Sequence, residues 1–236
     1  MKISNLEKNF SGFSLRIGEM NLTRGEIHGL IGPNGCGKTT AMKLIAGLIK
    51  ADSGTIDYGG LTQRDITMAA RKPYFLHDSV YRNLVYPLIL RKIKPDSALV
   101  DHYLEIAGLK DLREQYAPSL STGQQQKLSL IRALIFSPKF ILIDEALSNL
   151  DIESASLFEQ IILEHQQKEP VTWLVISHQL SHIQRLCSRV FFMYGGKVEA
   201  QGTAKEILLN PQNIHLQKYL RYETLEKGET YGIFEG

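Results

Sequence analysis

Apolar residues divide the chain into strand-like and helix-like segments. The short continuous runs "KFILIDEAL" and "VTWLVIS" are typical of parallel strands that are buried on both faces. Between them, "SASLFEQIILEH" carries its apolar residues at helical spacing. This alternation of strand, helix and strand predicts a mostly parallel sheet with right-handed crossovers.

The N-terminal part of the chain is also strand-rich. "FSLRIGEMNLT" and "GEIHGLIG" predict strands, and a helix follows over about residues 39–48. "SGTIDYGG" predicts a further strand that ends in a turn. Near the other end, Gly195-Gly196 separates two strand-like segments and predicts a hairpin.

The middle of the chain has a different character. "SVYRNLVYPLILRK" and "PDSALVDHYLEIAGL" have helical spacing and helix-start residues. We therefore predict one domain, in which a core of residues 1–72 and 131–236 carries an inserted helical subdomain of residues 73–130.

Composition narrows the class of protein. The chain has 236 residues, 43% of them apolar, and a formal net charge of +2, which fits a single large domain and gives no sign of nucleic-acid binding. Its two cysteines are far apart in sequence, as expected in a reducing compartment. No apolar run approaches the roughly 18 residues of a membrane span, so we expect any membrane crossing to belong to another chain.

The segment "GPNGCGKTT" fits the pattern G-x-x-x-x-G-K-[ST], between a predicted strand and a predicted helix. Its glycines let backbone N–H groups converge on phosphates, and the helix N-terminus adds its positive dipole end. Lys38 supplies a point charge for the outer phosphates, and Thr39 offers a hydroxyl to Mg²⁺. The predicted binding residues are Gly32, Pro33, Asn34, Gly35, Cys36, Gly37, Lys38, Thr39 and Thr40.

Three polar residues follow predicted strands at the sheet edge where ligands bind in such folds. Asp144 and Glu145 end the run "FILIDE", and His178 follows "LVIS". Asp144 is a candidate ligand of Mg²⁺, and Glu145 can polarise a water for attack on a γ-phosphate. We expect His178 to contact the same phosphate.

A second anion-binding helix start occurs at "LSTGQ", where Ser121 and the N–H groups around Gly123 precede an amphipathic helix. Taken in order from about residue 3 to 219, these motifs resemble those of the nucleotide-binding subunit of ATP-binding cassette (ABC) transporters. In that family the signature is usually LSGGQ, and two subunits meet head to tail so that each signature covers the partner's nucleotide.

The resemblance implies the fold, ligands and partners. The fold would be α/β: a P-loop NTPase (RecA-like) core with a mostly parallel sheet, an N-terminal antiparallel β part and an inserted α-helical subdomain that ends in the signature. The ligands would be ATP and Mg²⁺. The partners would be a second cassette subunit, separate transmembrane permease subunits and, indirectly, a substrate-binding protein, with the chain peripheral to the cytoplasmic face of the membrane.

The resemblance also implies roles for individual residues. Lys38, Glu145 and His178 would be catalytic, and Thr39 and Asp144 would hold Mg²⁺. Residues implied to bind the nucleotide outside the phosphate loop are Phe10, which would stack on adenine, Arg71, Ser121, Gly123, Gln124 and Asp151 of the coupling loop "SNLD".

Two positions depart from the family pattern. Thr122 replaces a signature glycine, for which we expect a mild effect. Arg71 stands where the family has a glutamine that touches Mg²⁺ and the attacking water; arginine has no lone pair for a metal, but it could reach a phosphate oxygen. Either this placement is slipped, with Gln63 as the nearest glutamine, or the loop works with arginine and hydrolysis is altered. The second explanation is our hypothesis.

Three functions are compatible with these residues. The first is the ATPase subunit of a transporter; "RKPYFLHDSVYRNL" and "RLCSRVFFMYGGKV" look most like subunits of importers for tungstate and related oxyanions. The second is a soluble cassette ATPase for assembly, for instance of iron–sulfur clusters. The third is a nucleotide-gated module that hardly hydrolyses ATP, which Arg71 and Thr122 would favour.

Overall fold

A single twisted sheet organises the chain, and the computed structural model describes residues 1–148, 150–168 and 170–226. The strands are β1 (Lys2–Phe10), β2 (Phe13–Asn21), β3 (Ile27–Ile31), β4 (Ser53–Asp57), β5 (Ile66–Ala69), β6 (Phe140–Asp144), β7 (Thr172–Ile176), β8 (Arg189–Tyr194) and β9 (Lys197–Thr203). The helices are α1 (Lys38–Ile45), α2 (Val80–Leu90), α3 (Ser97–Ile106), α4 (Thr122–Leu134), α5 (Ile152–Lys168), α6 (Leu180–Leu186), α7 (Ala204–Leu209) and α8 (Ile214–Glu226).

The order of strands in the sheet is β4-β1-β2-β9-β8-β3-β7-β6-β5. Strand β3 pairs in parallel with β7 and β8, and β6 continues the parallel arrangement from β7 to β5. At the other side β1 pairs antiparallel with β2 and β4. The α/β class, the mostly parallel core and the N-terminal antiparallel part are confirmed.

Helices cover the two faces of this sheet with separate apolar clusters. On one face Met42 and Ile45 of α1 pack among residues of β1, β2 and β6. On the other face Ile131 of α4 and Phe158 of α5 pack with β6, β7 and the helices α2 and α3. Both faces of β3, β6 and β7 are buried, as their continuous apolar runs predict.

Some elements differ from the sequence-based prediction. Helix α1 begins at Lys38 and ends at Ile45, three residues earlier than predicted, because Gly47 with a φ of 69° closes it. Strands β1 and β5 were not predicted. Helix α4 continues from residue 122 to 134, across the predicted subdomain boundary, and the division itself stays a prediction. Among the described residues, no helix is both long and apolar enough to cross a bilayer.

Candidate functional site

The phosphate loop connects the buried strand β3 to α1. Gly32 has a φ of 146°, and a Cβ there would lie 2.1 Å from the carbonyl oxygen of Met193. Gly37 has a φ of 106° and a Cβ would lie 2.7 Å from Leu15 and 2.8 Å from Phe13. At Gly32 both the backbone conformation and the nearby carbonyl oxygen exclude a side chain, and at Gly37 the left-handed backbone favours glycine while the neighbouring side-chain ends crowd the position.

The positive charge of Lys38 is buried in this loop. Its side chain is only 6% exposed, and its Nζ donates hydrogen bonds to the carbonyl oxygens of Gly32 at 2.6 Å and Pro33 at 3.0 Å. Burial lowers the pKa of Lys38, and no carboxylate among the described residues lies within ion-pair distance. A buried ammonium held only by carbonyl groups has a strong affinity for an incoming anion.

Thr39 and Asp144 provide the site with two neighbouring oxygen groups of the kind that bind hard cations. The Thr39 hydroxyl donates to Asp144 Oδ1 at 3.2 Å, and Asp144 is buried at the end of β6. Burial raises the pKa of Asp144. One carboxylate and one hydroxyl beside a phosphate loop fit Mg²⁺, which uses few protein ligands and takes others from substrate phosphates and water. The described residues contain no cluster of three His, Cys, Asp or Glu side chains that could hold a metal alone.

Glu145 has a partner on each carboxylate oxygen. His178 Nε2 lies 2.6 Å from Oε1, and Arg71 Nη1 lies 3.0 Å from Oε2. The Glu145 side chain is 8% exposed, whereas that of Arg71 is 61% exposed. Gln63, the alternative to Arg71 as the counterpart of the family's glutamine, instead packs against Gly47 beyond the carboxyl end of α1.

An aromatic pair lies beside the loop. Phe10 is 47% exposed and its ring stacks on Phe13, with centroids 6.5 Å apart. Phe13 in turn contacts Gly37, so it connects the exposed ring to the phosphate loop. Phe13 was not predicted from the sequence. It could have been found as the aromatic residue that pairs with Phe10 across the turn between β1 and β2.

The signature and the coupling loop act locally as helix caps. Ser121 caps α4 in a capping box, in which its Oγ accepts from the Gln124 N–H and Gln124 Oε1 accepts from the Ser121 N–H. A Cβ on Gly123 would meet nothing within 4 Å. Asp151 accepts from the backbone and hydroxyl of Ser154, which lowers the pKa of Asp151.

The predicted residues thus fall into two groups. Lys38, Thr39, Arg71, Asp144, Glu145 and His178 lie together at the carboxyl ends of β3, β5, β6 and β7. Among the described residues, no hydrogen bond or ion pair joins the signature or Asp151 to the phosphate loop. The coupling-loop residue Asn149 lies outside the described residues.

Comparisons with known proteins show the family of this chain. A family model described as ABC transporter matches residues 15–148. The tungstate uptake system ATP-binding protein TupC of Peptoclostridium acidaminophilum is 35% identical over 208 residues, which cover 85% of this chain and 97% of the relative. The Fe(3+) ions import ATP-binding protein FbpC of Vibrio cholerae is 34% identical, and the match covers 98% of this chain and 69% of the relative.

Two further similarities extend the comparison. The spermidine/putrescine import ATP-binding protein PotA of Fusobacterium nucleatum is 33% identical, over 99% of this chain and 65% of the relative. A solved structure of an ATP binding subunit of an ABC transporter matches with a TM-score of 0.81 at 22% identity, over 94% of this chain and 98% of that one. This last similarity shows the fold.

Proposed function

The chain belongs to the ABC transporter family and is an ATPase of that family, and we propose that it energises an importer through separate membrane subunits. The importer role is supported by the similarity to import ATP-binding proteins, and the nucleotide chemistry is carried by the buried Lys38 at the start of α1, beside the Thr39–Asp144 pair. Together they provide a cation for phosphate oxygens and hard oxygen ligands for the accompanying metal. ATP binding follows from the family, and we propose Mg²⁺ as its companion ion.

Each residue of the site has a proposed role. Lys38 and the N–H groups of residues 34–40 hold the phosphates, and Phe10 offers a stacking surface for the adenine. Thr39 and Asp144 would hold Mg²⁺, which neutralises phosphate charge when bound. Glu145 orients the attacking water and accepts its proton, while His178 stabilises charge on the γ-phosphate.

We propose that two subunits meet head to tail, with each signature covering the partner's phosphate loop. The arrangement of the two groups of residues supports this, since Ser121 and Gly123 lie outside the cluster around Lys38. By this proposal Gln124 and Asp151 complete the interface. The permease subunits and a substrate-binding protein would be the other partners, with this chain at the cytoplasmic face of the membrane.

The proposed cargo is tungstate or a related oxyanion. A tungstate uptake protein is 35% identical over nearly its whole length, but iron and polyamine import proteins reach 34% and 33%. The test is ATPase activity of the complete transporter in vesicles with its binding protein. We expect tungstate to stimulate turnover; stimulation by Fe³⁺ or spermidine alone would contradict the cargo and leave the ATPase function intact.

The test of the function itself is MgATP-dependent dimerisation by light scattering, together with ATPase rate. We expect native protein to hydrolyse ATP, and Glu145→Gln to lose turnover by roughly 10²–10⁴-fold and remain as an ATP-bound dimer. Glu164→Gln, the same change on the exposed side of α5, is the matched control. Native protein without ATP binding, even in the complete transporter, would refute the proposal.

A second candidate is a nucleotide-gated module with little hydrolysis. The ion pair between Arg71 and Glu145 favours it, because it engages the proposed base. In the same experiment this candidate predicts that native protein and Glu145→Gln both dimerise with ATP and that neither turns it over.

A further inference from the structure

The carboxylate of Glu145 is held in position by contacts within the chain. Its backbone has a φ of 54°, uncommon for a residue with a side chain, and its N–H donates to the carbonyl oxygen of Ile176 at 3.0 Å. His178 lies on one carboxylate oxygen and Arg71 on the other. Both oxygens that could accept a proton from water are therefore already engaged by donors.

The two donors differ in exposure: the His178 side chain is 22% exposed, and the Arg71 side chain is largely in solvent. Arg71 follows the edge strand β5 and is 61% exposed, so water competes for its guanidinium and the ion pair is modest in strength. The backbone of residues 70–74 is hydrogen-bonded to side chains of α4. Gln126 Nε2 donates to the Ala70 carbonyl at 3.3 Å, and Arg132 Nη1 donates to the Tyr74 carbonyl at 2.8 Å. The backbone of this segment is anchored, while the Arg71 side chain is free to exchange one anion for another.

We propose that Arg71 is a positioning residue that latches Glu145 in the nucleotide-free chain and releases it when a terminal phosphate takes over the guanidinium. A phosphate offers the same planar donor group a more highly charged acceptor. The released Oε2 then faces the site and receives the water. A glutamine at this position would carry no charge and could offer the carboxylate only a weaker, neutral hydrogen-bond donor. This inference rests on the proposed ATPase function.

The resting contact is tested without nucleotide. Thermal unfolding of native protein, Arg71→Gln, Glu145→Gln and the double variant forms a double-mutant cycle. We expect the double variant to lose less stability than the sum of the single losses, since each single change leaves one partner of the pair behind. Lys72→Gln removes the neighbouring exposed charge and is the control, for which we expect additivity with Glu145→Gln. Additive effects of Arg71→Gln and Glu145→Gln would overturn the latch.

The release is tested by basal turnover of the purified chain. In the ATP-bound chain the Glu145 carboxylate and the terminal phosphate compete for the guanidinium, so that Glu145 is still engaged for part of the time. Removing this modest ion pair therefore predicts that Arg71→Gln raises kcat by up to about fivefold. Its Kd for ADP, which lacks the terminal phosphate, should be unchanged. Arg71→Lys keeps a positive charge within reach of Glu145 and should return kcat toward the native value, which distinguishes the ion pair from a general effect on folding.

The outcomes separate this inference from the proposed function. Unchanged or reduced kcat in Arg71→Gln would overturn the latch and leave Arg71 as a donor that assists hydrolysis. Absence of ATP binding by native protein in the complete transporter would refute the ATPase function, while the unfolding cycle would still report whether the resting ion pair exists.

Discussion

Lys38 shows how a single residue connects fold and ligand. Taking its ammonium out of water is costly, and two carbonyl oxygens compensate only in part. Burial lowers the pKa of Lys38, so its charged form is less stable in the fold than in water, and a phosphate beside it would stabilise that form. Lys38 thus favours anion binding, while its burial lowers the stability of the protein without ligand.

We therefore predict that Lys38→Met abolishes stabilisation by nucleotide but not folding. At a concentration of about 100 Kd, ATP should stabilise the native chain by about 2.7 kcal/mol, or raise Tm by about 5–10 °C for a domain of this size. The variant should show no such rise, measured by thermal unfolding with and without ATP. Lys43→Met, the exposed lysine of the same helix, is the control; equal loss of the rise in both variants would show a nonspecific charge effect.

Local motifs made most of this site predictable from sequence. Lys38, Thr39 and Asp144 follow directly from the glycine pattern and from the end of an apolar run. The contact of Arg71 with Glu145 could not be predicted, because these residues are far apart in sequence and meet only where β5 and β6 pair. The residue type at position 71 is unusual for the family and visible in the sequence, but nothing in the sequence points to its partner.

At the scale of elements, the junction between β2 and β9 connects the antiparallel part of the sheet to the rest. Strand pairing there consists of Arg16 with Lys197, and the Arg16 N–H donates to the Gly196 carbonyl at 2.7 Å. Gly196 has a φ of 79°, and a Cβ would lie 2.1 Å from the Ser14 carbonyl oxygen. The close approach of β2 to this turn therefore depends on the missing side chain.

The turn provides a matched pair of substitutions. Gly196→Ala should lower the free energy of unfolding by about 2–4 kcal/mol, because backbone atoms must separate to admit the methyl group. Gly195 has a φ of 53°, and a Cβ there would meet open space. Gly195→Ala should therefore lower the free energy of unfolding by only about 1 kcal/mol, the cost of placing alanine in a left-handed conformation. Urea unfolding of both variants checks this; equal losses would mean that the turn conformation, and not the contact with Ser14, sets the stability.

The strands that sequence missed share a physical reason. Strand β5 has four residues, and β1 mixes polar residues into both faces, so neither gives a clear periodic signal. Their place in the sheet comes from pairing with β6 and with β2 and β4, which is tertiary information. The hairpin of β8 and β9 was predictable because both turn residues are glycines.

At the scale of the whole molecule, the proposed head-to-tail dimer makes the phosphate loop and the signature two halves of one site. The phosphate loop exposes Asn34 and Gly35, and the start of α4 exposes Ser121. In a two-fold dimer, a contact from the first half to the partner's second half is necessarily repeated in the other direction. One protein–protein interface would thereby complete two sites.

This arrangement predicts that two inactive variants restore activity when they are mixed. Lys38→Met removes the phosphate charge. Gly123→Asp places a carboxylate at the signature, where the Cβ meets open space and an acidic residue suits the first turn of a helix. Each variant alone has both sites of its homodimer defective, and we expect negligible ATPase from either.

In an equimolar mixture half of the dimers pair the two variants. In each mixed dimer one site combines the two defects, and the other combines a native phosphate loop with a native signature. Turnover should therefore recover to about a quarter of the native rate, since one site in two is intact in half of the dimers. Mixing a chain that carries both changes with the Lys38→Met variant gives no dimer with an intact site, because every phosphate loop lacks Lys38, so that mixture is the inactive control. If each site were completed within its own chain, mixing the single variants would restore nothing, and the head-to-tail dimer would be wrong.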